Sequence, residues 1–242
     1  TDCHNPHRVI RNRLFNANAA TPDAKGTHRN DASTGYIPSN LASGVLRGTW
    51  GVEPGYGSAS FQVDPGSFDV KRGDPGSSAS SAVGEAYVTR EYQVCLKCHS
   101  NHAYGTNPPL LGRTGGTPVN TNNLTKYTNQ AREFQAPTAH QGGGIGDAKS
   151  LGSNGGAGSN YNTGNHRSWH PVLAPTGRDI GKRGISADKM PWLRPFGNAN
   201  AVGAQTMYCS DCHGSEASSP GSLAPDSGVG GPHGSENNFL LK

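Results

Sequence analysis

Two pentapeptides, Cys95-Leu96-Lys97-Cys98-His99 and Cys209-Ser210-Asp211-Cys212-His213, restrict what this chain can fold around more than any other feature of it. Cys-x-x-Cys-His is the attachment pattern of a c-type haem. Two thiols separated by two residues reach the two vinyl-derived carbons as thioethers, and the adjacent imidazole meets the iron from the same turn. Cys95, Cys98, Cys209 and Cys212 are therefore expected to hold cofactor covalently, with His99 and His213 as axial iron ligands.

The chain opens on Thr1-Asp2-Cys3-His4, the same pattern short of its first cysteine. A third haem is expected there, with His4 as its ligand. Either a cysteine precedes Thr1 in a longer precursor, or Cys3 holds the haem through a single thioether; the residues leave both open.

Paired cysteines also suit zinc, since Cys95, Cys98, Cys209 and Cys212 amount to four thiolates. The histidine after each pair argues otherwise. With 10 histidines in 242 residues, two landing there by chance is an event on the order of one in several hundred. Five cysteines, an odd number, do not close a disulfide framework either.

Only 32% of the residues are hydrophobic, and Gly (35) and Pro (17) are abundant, whereas a chain of this length ordinarily buries a substantial apolar core. Rigid apolar macrocycles can stand in for the missing side chains. The expected fold is mostly irregular coil with few short helices and minimal strand, wrapped around stacked c-type haems as one domain over residues 1–242. Haem islands are expected near 1–15, 92–104 and 206–235, with loop-rich connections between them, loosely held in parts of 142–165. A short helix is expected after His4, a strand near 58–63, and a helical turn at the second motif after the weak alternation of 85–92. Further short helices are expected over 129–135 and 201–213. Pro171, Pro175, Pro191 and Pro195 exclude any long element around them.

The formal net charge of +4 is nearly cancelled once haem propionates are counted, and the basic residues are scattered, so nucleic acid is not an expected partner. Arg8, Arg11, Arg13, Arg90, Lys97 and Arg178 are candidate propionate partners, or else solvated surface charges. No run approaches the ~18 apolar residues of a membrane span. The absence of a signal peptide leads to the expectation of a mature chain or the C-terminal part of a longer one.

Seven histidines lie outside the motifs: His7, His28, His102, His140, His166, His170 and His233. Three haems need only three more ligands to become six-coordinate. Met190 and Met207 are the only thioether alternatives, and Met207 stands too close to Cys209 to reach the far side of that haem. Bis-histidine ligation follows, and iron so held has no open position for substrate, which favours electron transfer over catalysis. His7 and His102 each follow a motif histidine by three residues. They leave on the same side of that ring, so as ligands they would serve a neighbouring haem and force two porphyrins together; otherwise they bond propionates or face solvent. His170, before Pro171, and His233, among small residues in Gly231-Pro232-His233-Gly234-Ser235, are the preferred distal ligands set by tertiary folding. His28 is a further candidate, ahead of His140 and His166.

Taken together, the two complete motifs, Cys3-His4-Asn5-Pro6-His7, His170-Pro171-Val172 and the segment around His233 resemble the multihaem c-type cytochromes of metal-reducing and sulfur-cycling microbes. They span about a fifth of the chain. The wide spacing of the motifs and the glycine-rich loops resemble the extracellular filament-forming (nanowire) cytochromes more than compact periplasmic shuttles. The resemblance implies bis-histidine haem c, about three per chain, at short edge-to-edge distances. It also implies an extracellular or periplasmic location at the cell surface. Other electron carriers or terminal acceptors would be partners, with assembly as a homopolymer or multihaem complex. The missing first cysteine is the departure from the pattern.

Three classes of function remain open from the residues. The leading one is an electron conduit or filament subunit. A multihaem oxidoreductase with one open-site haem is the second, although no Cys-x-x-Cys-Lys variant marks such a site. A haem-binding module of a larger surface complex is the third, in which surplus histidines would ligate haems of another chain.

Overall fold

The computed structural model of the chain describes residues 3–8, 40–57, 63–75, 80–107, 129–135, 170–175, 179–181, 184–192, 196–197 and 199–213. Among these, regular elements are short. Strand β1 (Gly51–Gly55) pairs antiparallel with β2 (Ser67–Lys71), placing Val52 opposite Val70 and Pro54 opposite Phe68. Both strands of a two-stranded ribbon are edges, so Pro54, which has no N–H to donate, is tolerated. The strand expected near 58–63 is not found at Val63, which is coil with its N–H on Gln135 Oε1 at 3.0 Å; residues 58–62 lie outside the described ones. β1 and β2 lie on either side of that segment in sequence. Gly51, Pro54 and Gly55 mask β1 in a pattern-based reading, because its pairing rests on the partner strand and the core beneath it.

Three short helices follow: α1 (Glu91–Cys95), α2 (Asn101–Tyr104) and α3 (Gln130–Glu133). Each begins where a side chain takes up backbone donors that the first turn leaves over. Gln93 Oε1 accepts from Thr89 N–H (2.8 Å) and Arg90 N–H (3.1 Å) at the start of α1. Ser100 accepts from His102 N–H (3.2 Å) for α2, and Asn129 from Ala131 N–H (3.1 Å) for α3. Gly105, at φ 58°, ends α2 in the left-handed region.

One expected helix is corrected. Residues 201–213 do not form one helix: a turn closes with Ala204 and Gln205 N–H on the Ala201 carbonyl (both 3.0 Å), and the chain then extends to a 3₁₀ turn at Cys209–Asp211. Gly203, at φ 93°, cannot continue a right-handed helix. The next backbone donor used is tertiary, Met207 N–H to the Pro171 carbonyl (2.9 Å). After His4 the described residues form a turn, in which the Asn5 side chain accepts the His7 N–H (3.2 Å) and its carbonyl takes Arg8 N–H (2.9 Å); residues 9–15 of the first island lie outside the described ones.

Among the described residues the apolar core is centred on α1. Val94 faces a cluster with Ala42, Leu46 and Val88, while Tyr92 and Leu96 face a second with Val52, Ala131 and Val172. Asn40, buried, ties the parts together. Its carbonyl accepts Glu91 N–H (3.1 Å), its N–H donates to Thr206 Oγ1 (3.0 Å), and its amide donates to the Val172 carbonyl.

Beneath β1, Glu53 accepts hydrogen bonds from Tyr92 Oη (3.0 Å) and Gln93 Nε2 (2.7 Å). Burial outweighs these bonds and raises its carboxyl above the usual range. The native state therefore binds this proton more tightly than the unfolded chain does. Its contribution is full below the ordinary carboxylate value and is lost as pH rises through the raised native one. Glu53→Gln should accordingly gain stability relative to the parent between about pH 4 and about pH 7. Urea midpoints of both proteins at the two pH values check this; a difference that stays constant or reverses would contradict it.

Candidate functional site

The two complete motifs adopt the same turn on different supports. At the end of α1, Cys98 and His99 donate their N–H groups to the Cys95 carbonyl at 3.1 and 3.0 Å. In the 3₁₀ turn, Cys212 and His213 donate to the Cys209 carbonyl at 3.3 and 3.0 Å. In each motif these bonds hold the second cysteine and the histidine within one turn of the first cysteine. Leu96, inside the second motif, is core, and the His99 carbonyl accepts the Gln130 N–H (2.9 Å) that opens α3. The motif is thus anchored to the packed interior through Leu96 and the His99 carbonyl.

The turns also meet. Cys95 Sγ and Cys209 Sγ lie within 4.8 Å of one another, and the nearness of Cys209, with burial, raises the Cys95 thiol well above its ordinary value. Glu91, one turn before Cys95, receives Ser210 N–H at 2.9 Å and Ser210 Oγ–H at 2.8 Å across 119 residues of sequence. Asp211 Oδ2 accepts Tyr208 N–H (2.8 Å), and Tyr208 Oη donates to the Leu41 carbonyl (2.7 Å), fixing the approach of the third motif. Among the described residues, Glu91, Cys95 and Cys209 form the grouping able to hold a metal ion, with ligand atoms all within 4.8 Å of one another. Cys98 is exposed, and neither it nor Cys212 belongs to this grouping, so the four motif thiols do not converge as a tetrathiolate zinc site would require.

At the first island, Cys3 and His4 are exposed, and His4 Nδ1 lies 3.2 Å from the Val45 carbonyl. A carbonyl only accepts, so Nδ1 is the donor of this contact. That is the arrangement of an iron- or zinc-binding histidine, whose second nitrogen donates to a carbonyl or carboxylate. Asn5 Nδ2 donates to the Gly48 carbonyl (3.2 Å), and Arg8 pairs with Asp74 (2.9 Å). Gly48 sits at φ 74° with the Arg8 side chain where a Cβ would stand, so the island docks onto a backbone that only glycine leaves open. Beside it lies a cleft of about 640 Å³ lined by Asn5, Pro6, His7, Trp50 and Arg72 among others.

Trp50 connects this cleft to the second motif. Lys97 Nζ lies 4.4 Å from its ring centroid and Arg72 5.6 Å, both as cation–π contacts. The His102 ring meets Trp50 edge-on at 6.2 Å and Phe68 at 5.1 Å. His102 thus packs on an aromatic residue that lines the same cleft as His7. His170 is exposed, with Val172 N–H on its carbonyl (2.8 Å), and the following Pro171 binds Met207 in the approach to Cys209. The structure therefore places His170 in a segment docked beside the third motif. His28, His140, His166 and His233 lie outside the described residues, as do Arg11, Arg13 and Arg178.

Of the remaining candidate propionate partners, Arg90 donates to the carbonyls of Ser81 (2.8 Å) and Thr89 (3.1 Å), and Lys97 is committed to Trp50. Arg72 and Trp50 at the cleft, and Glu91 and Ser210 at the motif contact, are residues the sequence reading missed. Glu91 carried a signal, its spacing of four from Cys95 on a helix. Ser210 and Trp50 carried none. No helix among the described residues is long and apolar enough to cross a membrane. No protein-family model matches the chain, and neither the curated proteins nor the solved structures contain a match to it.

Proposed function

We propose that the chain is a multihaem c-type electron-transfer protein, a conduit or filament subunit working at the cell surface or in the periplasm, and not an enzyme. The observation that supports this reading most is the contact between the two motif turns, which brings two attachment sites from distant parts of the sequence to one place. Haem c, when bound, supplies one-electron chemistry at iron that has no open position once two histidines ligate it.

The chain's own residues divide the remaining work. Cys95, Cys98, Cys209, Cys212 and Cys3 supply sulfurs for thioethers, and His99, His213 and His4 supply axial nitrogens. The Val45 carbonyl accepts from His4 Nδ1 and strengthens the ring's Nε2 as a donor. Glu91 and Ser210 hold the two turns together, and Trp50 lines the cleft beside the first island while packing against Lys97 of the second motif. His7, His102 and His170 serve as distal ligands, with His28 and His233 as further candidates.

A pyridine haemochrome assay with intact mass tests the reading on protein from a host that attaches haem. About three haems per chain are expected, bound through two thioethers at each complete motif and through Cys3 at the first island. Two haems would remove Cys3 and His4 from the assignment. A chain that takes no covalent haem in that host would overturn the proposal.

A further inference from the structure

We propose that, in the chain whose cysteines carry no haem, Glu91, Cys95 and Cys209 form a site for one thiophilic divalent cation, with Zn²⁺ as its probe. The donor atoms of the three side chains already lie within 4.8 Å of one another, a separation that one ion can span. Glu91 and Cys95 are four residues apart, which sets carboxylate and thiol on one face of α1. Cys209 reaches them from the 3₁₀ turn of the other motif.

The carboxylate does not have to be recruited. Ser210 donates to both of its oxygens, at 2.9 and 2.8 Å, which holds it in place near the sulfurs as an outer hydrogen-bond partner holds a ligating group. All three donors are half-buried, so solvent competes less than at the exposed Cys98. Two sulfurs and one carboxylate oxygen are a donor set for Zn²⁺ rather than for Mg²⁺ or Ca²⁺, with water completing a tetrahedral shell.

The site differs from local chelation by either Cys-x-x-Cys pair, because it takes only the first cysteine of each motif. It also goes beyond the electron-transfer reading: thioether formation at Cys95 and Cys209 removes both thiolates, so metal and haem exclude one another on the same sulfurs. An ion held there would keep the two thiols from oxidising to a cross-link before haem attachment.

The test uses the full chain produced without haem attachment and kept reduced, titrated with Zn²⁺ against a chromophoric chelator. One Zn²⁺ per chain is expected. A Cys98→Ser/Cys212→Ser variant should bind within about threefold of the parent, whereas Ser210→Ala should bind about tenfold more weakly and Glu91→Gln at least as weakly. Cobalt in place of zinc should give a thiolate charge-transfer band of equal intensity in the parent and in Cys98→Ser/Cys212→Ser, lost in Cys95→Ser and in Cys209→Ser. Loss of binding in Cys98→Ser/Cys212→Ser, unchanged binding in Glu91→Gln, or no binding at all would overturn the site. The haem assay is separate: a chain that binds zinc as described yet takes no haem overturns only the electron-transfer reading. A chain that takes haem but binds no zinc beforehand overturns only this one.

Discussion

Tyr92→Ala is expected to lower folding stability by about 4 kcal/mol, the scale for truncating a fully buried aromatic. Tyr92 is 1% exposed and packs with Val52, Leu96, Ala131 and Val172, which come from four different parts of the chain. Its hydroxyl donates to both Glu53 oxygens, at 3.1 and 3.0 Å, so truncation also takes a partner from a half-buried carboxylate. Tyr92→Phe keeps the packing and removes only the hydrogen bonds, for a loss of about 1 kcal/mol. Small domains hold about 5–15 kcal/mol in total, and this one has few apolar residues to spare, so the alanine variant should lie near the edge of folding. Urea unfolding of the two variants beside the parent measures the difference. Equal losses in both would mean that the hydrogen bonds, and not the ring, carry the site.

A second large effect is expected from His102→Ala in the haem-loaded protein. The His102 ring packs against Trp50, which lines the cleft shared with His7 and the first island. If His102 ligates across that gap, its loss opens one haem, and the haem opened is not the one attached at Cys95 and Cys98. The parent should be entirely low-spin and unreactive toward carbon monoxide. The variant should show one high-spin haem per chain that binds carbon monoxide when reduced, while its own motif haem keeps both ligands. Paramagnetic-resonance spectra of the oxidised protein, with carbon monoxide binding to the reduced one, read this directly. An unchanged low-spin spectrum would remove His102 from the ligand set, and high-spin iron in the parent would remove the purely conducting role.

Local chemistry was legible in the residues. The two Cys-x-x-Cys-His turns, with sulfurs and imidazole at spacings of three and four, are properties of a five-residue segment, and the structure builds both with the same His-to-Cys backbone bond. The helix at Gln130–Glu133 likewise announces itself through Asn129, whose side chain caps it. Where a segment's conformation depends on partners, the residues said little. β1 contains two glycines and a proline and forms because Val52 is buried under α1 and β2 pairs with it. The 201–213 segment looked helical, but Gly203 reverses the backbone and Met207 and Tyr208 spend their polar groups on Pro171 and Leu41.

The sequence by itself determined the chemistry available to this protein: which sulfurs and imidazoles stand together in one turn, because spacing within a turn is set by backbone geometry. Tertiary structure alone decided which turns are neighbours. The meeting of Glu91, Cys95, Cys209 and Ser210, the contact of His4 with the Val45 carbonyl and the packing of His102 on Trp50 all join residues far apart in the chain. Such contacts follow from how the core closes around α1 and Asn40, and no local pattern encodes that closure.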